Sequence, residues 1–234
     1  MQLRTVEWGE GGRVAVLLHG MLGAGEQFWR IGAALAERGY RAVAVVLPGH
    51  GRSPAAPDAS VGMFAASVVD TVGCEPELAI GHSLGGVVLA AALPVLRPAR
   101  AVYVDIPLAD DGAQRTTDEL TSGFLSAQAG RTVEALRVSK PRWSEKDLEV
   151  EAVAAKRFDV ATAVALELAH RGSQPPTAEI PSLVVRAEPS RYVSKARAAE
   201  LAALGFEVRS VPGAGHSIWY GHFAEFMDAL EGWI

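Results

Sequence analysis

Hydrophobic residues along the chain form short continuous runs that are separated by longer amphipathic stretches. Seven of these runs hold four to six residues each, and several are rich in valine, as is typical of strands buried on both faces of a parallel sheet. The predicted strands are Leu3–Trp8, Val14–Leu18, Arg41–Val46, Glu77–Ile80, Ala101–Asp105, Ser182–Ala187 and Phe206–Val211. The predicted helices between them are Glu26–Arg38, Ser60–Thr71, Leu84–Leu96, Ser194–Leu204 and His222–Trp233.

This alternation predicts an α/β fold with a mostly parallel, doubly wound sheet and right-handed crossovers. A chain of 234 residues is the right length for one domain with one core, and we expect a single domain over residues 1–234. Its core would comprise residues 1–107 and 181–234.

The alternation stops after the strand that ends near Asp105. From Pro107 to Ile180 helix signals occur without a convincing strand. Thr116 and Ser144 begin capping boxes with the acidic residues three positions later, and Asp159 can cap a helix that ends near Gly172. Prolines at 175, 176 and 181 mark the return to the core. We therefore predict a helical lid, inserted at about 108–180.

Charge and cysteine content exclude several classes of protein. The formal net charge is −5, so the chain has no basic field for nucleic acid or an anionic membrane. The single cysteine, Cys74, excludes an internal disulfide and suits a reducing compartment. The uncharged run Leu78–Leu96 contains three glycines and a proline, which a buried strand and helix explain better than a membrane span. We expect a cytoplasmic protein that acts on a small molecule; a homodimer is possible.

Residues 81–85 read Gly-His-Ser-Leu-Gly and lie between a predicted strand and a predicted helix. This is the setting of a nucleophile elbow, a sharp turn that lifts a serine oxygen above the sheet. Gly81, Gly85 and Gly86 provide the space that such a turn requires. The pattern makes Ser83 the candidate nucleophile.

A serine hydroxyl needs a base to accept its proton, usually a histidine. His216 lies in a glycine-rich loop directly after the last predicted strand. Because loops at the carboxyl ends of parallel strands meet at one crevice, His216 is the preferred base. His82, His50 and His222 are interpreted as structural.

The histidine also needs an acid that holds its tautomer and stabilises its charged form. In this architecture the acid lies between the serine and the histidine, at the carboxyl end of a strand. Asp105 and Glu188 both satisfy that condition, and periodicity does not separate them.

Acyl transfer requires two donors for the oxyanion. The elbow supplies the backbone N–H of Leu84. The loop His19-Gly20-Met21-Leu22-Gly23 follows an earlier strand, and we assign the second donor to the Met21 N–H. His19 is interpreted as a residue that orients this loop.

Four segments together resemble the α/β-hydrolase family, in the family's order and over essentially the whole chain. They are His19 to Gly23, Leu47 to Ser53, Gly81 to Gly86 and Gly213 to His216. The resemblance implies the α/β-hydrolase fold and a serine hydrolase with Ser83 as nucleophile and His216 as base.

Two positions depart from the common family pattern. Val46 replaces an Asp that often precedes the Leu-Pro-Gly-His-Gly segment, and Ser190 stands where many members carry the triad Asp. A smaller esterase subgroup is more similar, because it shares Asp105-Ile106-Pro107 and the stretch from Ser190 to Ser194. That resemblance implies Asp105 as the acid, with Glu188 as runner-up.

The expected reaction is hydrolysis of a carboxylic ester, lactone or thioester of a small, largely apolar substrate. A serine nucleophile argues against the dehalogenases and epoxide hydrolases of this fold, which use Asp. No metal or cofactor is expected. Acyl transfer, C–C bond hydrolysis, perhydrolysis, lyase chemistry or a non-catalytic binding role remain alternatives. Four aromatic residues are candidates for an apolar pocket, although such residues are more often core: Phe28, Trp29, Trp143 and Trp219.

Overall fold

Seven strands form one sheet in the computed structural model, which describes residues 1–106, 108, 115–169 and 178–234. The strands are β1 (Arg4–Trp8), β2 (Arg13–Leu18), β3 (Tyr40–Val46), β4 (Leu78–His82), β5 (Arg100–Val104), β6 (Ser182–Glu188) and β7 (Glu207–Pro212). Their order is β1-β3-β2-β4-β5-β6-β7, and only β1 runs antiparallel to its neighbour. This mostly parallel sheet confirms the predicted fold class.

Helices connect the strands. They are α1 (Trp29–Ala36), α2 (Val61–Val72), α3 (Leu84–Leu96), α4 (Thr117–Ala129), α5 (Val133–Ser139), α6 (Glu145–Lys156), α7 (Val160–Ala169), α8 (Lys195–Ala203) and α9 (Phe223–Asp228). A 3₁₀ turn, Gly25–Phe28, leads into α1.

Two hydrophobic layers cover the two faces of the sheet. Successive side chains of a strand point to opposite faces, so Leu17 joins one layer and Leu18 the other. One layer receives buried helical side chains from α1 and α9, and the opposite layer receives them from α2, α3, α7 and α8. Because both faces are covered, the central strands carry continuous apolar runs, which is why the sequence pattern predicts them well.

All seven predicted strands are present, with ends within two residues of those predicted. The last predicted helix, His222–Trp233, is wrong in length, since α9 ends at Asp228. From there the chain continues in tighter turns, in which the Leu230 and Trp233 N–H groups bond to carbonyls three residues earlier. These turns direct the same two side chains into the core.

Helices α4 to α7, named here the inserted helices, lie between β5 and β6 in the chain. Thr116 and Ser144 form the predicted capping boxes, and the Asp159 side chain accepts from the Thr162 N–H at 2.8 Å. Helix α5 was not predicted, because its seven residues are too few for a clear periodicity. Pro107, Gly172 and the Pro175-Pro176 pair lie outside the described residues, and the lid stays a prediction.

In the described ranges, no helix combines the length and the apolar character that a membrane span needs. The uncharged run Leu78–Leu96 consists of β4, a sharp turn at Ser83, and α3.

Candidate active site

Ser83 occupies the turn between β4 and α3 with φ 50° and ψ −119°, a conformation that a residue with a side chain rarely adopts. The glycines beside Ser83 are required because a Cβ atom at either position would clash with the main chain. A Cβ on Gly81 would lie 2.5 Å from the Gly85 carbonyl oxygen, and one on Gly85 would lie 2.1 Å from the Leu18 carbonyl oxygen. The strand–turn–helix context predicted for the elbow is therefore confirmed.

The loop after β2 lies against this turn. A Cβ on Gly20 would be 3.1 Å from Ser83 Cβ and 2.9 Å from His82 Nδ1. In the described part of the chain, neither the Met21 N–H nor the Leu84 N–H donates to a protein acceptor. The two predicted oxyanion donors thus lie on segments that touch at the elbow, and both are without a protein partner there.

Asp105 follows β5 directly and is 1 % exposed. One carboxylate oxygen, Oδ2, accepts from His216 Nδ1 at 2.8 Å. The other, Oδ1, accepts from the Ala187 N–H at 3.1 Å and from the Ser190 hydroxyl at 2.7 Å. A carboxylate only accepts, so Nδ1 of His216 is the donor, and in the neutral imidazole Nε2 is then the acceptor.

The Glu188 carboxylate does not contact His216. It lies 3.5 Å from both Arg186 Nη1 and Lys195 Nζ, and its side chain is 34 % exposed. Its link to the histidine loop runs through the main chain, where the Glu188 carbonyl accepts from the Gly213 N–H at 2.8 Å. The structure therefore brings Asp105 to His216 and leaves Glu188 with basic partners.

Ser190 is a site residue that sequence reasoning missed. Its hydroxyl donates to Asp105 and accepts from the N–H groups of Tyr192 and Val193 at 3.0 and 2.9 Å. One hydroxyl thus joins the acid to the turn after β6. In the sequence, Ser190 could be singled out only as part of the stretch from Ser190 to Ser194. Its hydrogen bond with Asp105 forms because β6 packs beside β5.

His216 is held by aromatic and backbone contacts as well. The Tyr192 ring lies 4.2 Å from its ring centroid, and the His82 ring lies 4.6 Å away. His82 Nε2 donates to the His216 carbonyl at 3.1 Å. Burial lowers the pKa of His82 well below its usual value, which keeps this ring neutral. The residue next to Ser83 therefore connects the elbow with the His216 loop.

His19 and His50 support the loop after β2. His19 Nδ1 donates to the Gly20 carbonyl at 2.8 Å and Nε2 accepts from the Leu47 N–H at 3.0 Å. Burial lowers the pKa of His19 to about 3 and that of His50 to about 4. The two rings lie 4.9 Å apart. Both are neutral packing residues at physiological pH, and neither titrates there.

The four aromatic pocket candidates are spread over the core and the interface with the inserted helices. Phe28 and Trp219 are 1 % exposed and lie in one core layer. Trp29 Nε1 donates to Asp147 Oδ1 of α6 at 3.0 Å, and Trp143 packs 4.5 Å from the Tyr220 ring. Phe28 and Trp219 are core residues here, whereas Trp143 is only partly buried against that layer and Trp29 is half-buried.

A buried carboxylate joins α6 to the core near this point. Glu151 is 5 % exposed, accepts from Gln27 Nε2 and contacts Arg131 Nε at 3.1 Å. Burial raises the pKa of Glu151, an effect larger than the opposing influence of Arg131. The inserted helices are thus fastened to the core by polar side chains as well as by apolar packing.

Among the described residues, no group of three or more His, Cys, Asp and Glu side chains is arranged to hold a metal ion.

A family model described as the alpha/beta hydrolase family matches residues 15–229. The chain therefore belongs to the alpha/beta hydrolase family, as the sequence motifs implied.

Two curated relatives match parts of the chain. The dihydrolipoyllysine-residue acetyltransferase component of the acetoin cleaving system from Cupriavidus necator is 31 % identical over 135 residues, which cover 56 % of this chain and 36 % of that protein. The putative protein-lysine deacylase ABHD14B from Pongo abelii is 43 % identical over 79 residues, which cover 30 % of this chain and 38 % of that protein. The chain thus spans little more than a third of the length of either relative.

Among solved structures, E-2-(acetamidomethylene)succinate hydrolase has a TM-score of 0.78 with 22 % identity, covering 98 % of this chain and 94 % of that one. At this identity the likeness establishes the fold alone.

Proposed function

We propose that this protein is a serine hydrolase in which Ser83 is the nucleophile, His216 the base and Asp105 the acid. The observation that carries the proposal is the 2.8 Å bond from His216 Nδ1 to the buried Asp105 carboxylate. That carboxylate accepts two further hydrogen bonds, which hold it in orientation. Beside it, His82 connects the His216 loop to the strained turn that presents Ser83.

The proposed mechanism has two steps. His216 Nε2 takes the proton of the Ser83 hydroxyl as its oxygen attacks the substrate carbonyl. The tetrahedral intermediate collapses when the leaving group accepts that proton from Nε2, and an acyl-Ser83 ester remains. Water, deprotonated by the same nitrogen, then attacks this ester and releases the acid and the free serine. Asp105 keeps the His216 ring in orientation, and its carboxylate stabilises the imidazolium.

The backbone N–H groups of Met21 and Leu84 are proposed as the oxyanion donors. The support is that neither bonds to a protein acceptor within the described ranges and that their segments meet at the elbow. A donor of this kind is worth about 3 kcal/mol in the transition state. Gly23, whose N–H bonds to the Gly20 carbonyl at 3.0 Å, closes the turn that carries Met21.

The proposed substrate class is a carboxylic ester, lactone or thioester with a small, largely apolar acyl group. Met21 supports this choice, because it packs on an apolar cluster between its loop and the inserted helices. The cluster contains Leu22, Phe158 and Ala163, with Phe124 partly buried against it. Such a surface beside an oxyanion donor suits an uncharged acyl chain.

Amide deacylation is a second candidate. The partial match to a putative protein-lysine deacylase favours it, because the same acyl-enzyme route cleaves an acyl-lysine amide once Nε2 protonates the amine.

The test begins with a fluorophosphonate probe, which labels an activated serine. We expect stoichiometric labelling that Ser83→Ala abolishes while the circular dichroism spectrum is unchanged. A panel of p-nitrophenyl esters, thioesters and an ε-acetyl-lysine peptide then ranks the substrates by kcat/KM. Labelling that persists in Ser83→Ala, or a folded wild type that neither labels nor turns over any substrate, contradicts the proposal.

A further inference from the structure

A cleft of about 490 Å³ opens at the β1 edge of the sheet, away from Ser83. Three arginines line it from three different elements. Arg4 begins β1, Arg52 lies in the loop after β3, and Arg157 follows α6. Val6 and Val46 supply apolar wall.

These three guanidinium groups have no ion-pair or hydrogen-bond partner in the parts of the chain that the structure describes. Many arginines elsewhere on the surface are paired with glutamates. Examples are Arg13 with Glu77, Arg41 with Glu7, Arg97 with Glu75, Arg137 with Glu145 and Arg209 with Glu207. In a chain with a net charge of −5, three unpaired arginines around one concavity form a local positive site.

Glu26 is the one acidic residue of the lining, so the ionisable groups of the cleft sum to +2. Its carboxylate is also without a partner among the described residues. Its negative charge repels a bound anion, but its oxygens can accept a hydrogen bond from a hydroxyl or amine of a larger ligand. The volume far exceeds that of one anion, which leaves room for an organic part against Val6 and Val46.

We propose that this cleft binds the phosphate group of a small organic phosphate. A guanidinium presents a planar fork of donors that matches phosphate oxygens, and a phosphate monoester carries close to two negative charges at neutral pH. Three guanidinium groups on separate segments match a phosphate, which has three terminal oxygens, better than a carboxylate, which has two. This site is separate from the proposed catalytic group, and its test does not depend on turnover.

The site is connected to the loop after β2 by packing. Phe158 follows Arg157 in the chain, and its ring lies 5.1 Å from that of His50. The His50 ring lies 4.9 Å from that of His19, which bonds to the Gly20 carbonyl. A packed row of rings thus runs from the residue next to Arg157 to the loop that carries Met21.

The experiment is calorimetric titration of the Ser83→Ala protein with inorganic pyrophosphate, inorganic phosphate and citrate. We expect binding at one site in the order pyrophosphate, phosphate, citrate, with an affinity that falls as salt is added. Arg52→Gln and Arg157→Gln should each weaken pyrophosphate binding about tenfold, the loss expected for one charged hydrogen bond. Glu26→Gln should tighten it.

Arg97→Gln is the matched control, because it removes the same charge from a surface ion pair outside the cleft. It should leave the affinity unchanged. The proposal is overturned if pyrophosphate does not bind at millimolar concentration, if Arg97→Gln weakens binding as much as Arg157→Gln, or if citrate binds more tightly than pyrophosphate. Circular dichroism spectra of all variants exclude unfolding as the cause.

Discussion

The centre of the sheet and the inserted helices hold their side chains in place by different means. All five residues of β4 are buried, and six residues of α3 are buried behind it. By contrast, α4 and α5 each bury a single residue, Leu120 and Leu136. Ser83 and Asp105 are therefore located by strands whose main chains bond on both sides, whereas α4 and α5 depend on a few side-chain contacts.

Polar side chains contribute to the contact where α6 meets the core. Asp147 accepts from Trp29, and Glu151 accepts from Gln27 and pairs with Arg131. A polar contact of this kind is sensitive to pH and to substitution of either partner. A residue within parallel strands, by contrast, moves only if the hydrogen-bonded sheet itself is distorted. We therefore expect severe effects at the sheet and graded effects in the inserted helices.

The largest effect is expected at the acid beside the sheet. Asp105→Asn should lower kcat/KM about 10⁴-fold, as in other triads, because an amide nitrogen facing His216 Nδ1 selects the wrong tautomer. Asparagine tolerates the positive φ of 47° at this position, so the fold should persist. Glu188→Gln, the control, should stay within about threefold of wild type. Loss of activity in the Glu188 variant alone would show that the acid is misassigned.

A smaller but still large effect is expected at Gly85. The added Cβ of Gly85→Ala would meet main-chain atoms of Leu18 and His19 at 2.1 to 2.7 Å, and these cannot move without displacing β2. The free energy of unfolding should fall by about 3 kcal/mol or more, measured by urea denaturation. A change below 1 kcal/mol would mean that the elbow adapts easily, against the rigidity argued for this region.

A moderate, pH-dependent effect is expected at Glu151. Because burial raises its pKa, the native state holds this proton to a higher pH than the unfolded chain does. Its contribution to stability is complete below the usual value of 4.5 and is lost as the pH rises through the folded pKa. Glutamine does not titrate, so the stability of Glu151→Gln relative to wild type should increase with pH, by up to about 1.4 kcal/mol per pH unit.

The control for this experiment is Glu145→Gln on the same helix. Glu145 is exposed, and its hydrogen bond with Arg137 lowers its pKa. The stability of Glu145→Gln relative to wild type should therefore fall as the pH rises through the acid range. This trend is opposite to the one expected for Glu151→Gln. Urea denaturation of the three proteins between the acid range and neutral pH makes the comparison. Parallel curves for both variants would refute a special role for burial at Glu151.

The smallest effect is expected at Gly123 in α4. A Cβ there meets no atom within 4 Å, and the residue is exposed in a helix interior. Gly123→Ala should raise the free energy of unfolding by about 0.5–1 kcal/mol, since alanine loses less backbone entropy on folding. Thermal denaturation shows whether the variant is more or less stable than wild type. A destabilisation would mean that this helix is packed more tightly than its exposure indicates.

Sequence patterns predicted the sheet well because its strands are apolar on both faces and bounded by glycine-rich turns. The histidine loop and the elbow were found for a related reason, since glycines at 81, 85 and 213 mark places where the backbone approaches other atoms closely or turns sharply. Helix ends were less accurate. The contacts that shorten α9 come from Leu230 and Trp233 entering the core, and no local signal reports them.

By itself, the sequence determined the order of strands and helices, the elbow at Ser83 and the histidine loop, because each depends on neighbours in the chain. Only the tertiary structure decided which carboxylate meets His216, that Ser190 bonds to it, and that Arg4, Arg52 and Arg157 surround one cleft. Asp105 and Glu188 both end strands, and periodicity describes them equally. What separates them is the direction of each side chain after the strand ends, which depends on how β5, β6 and the loop after β7 pack together.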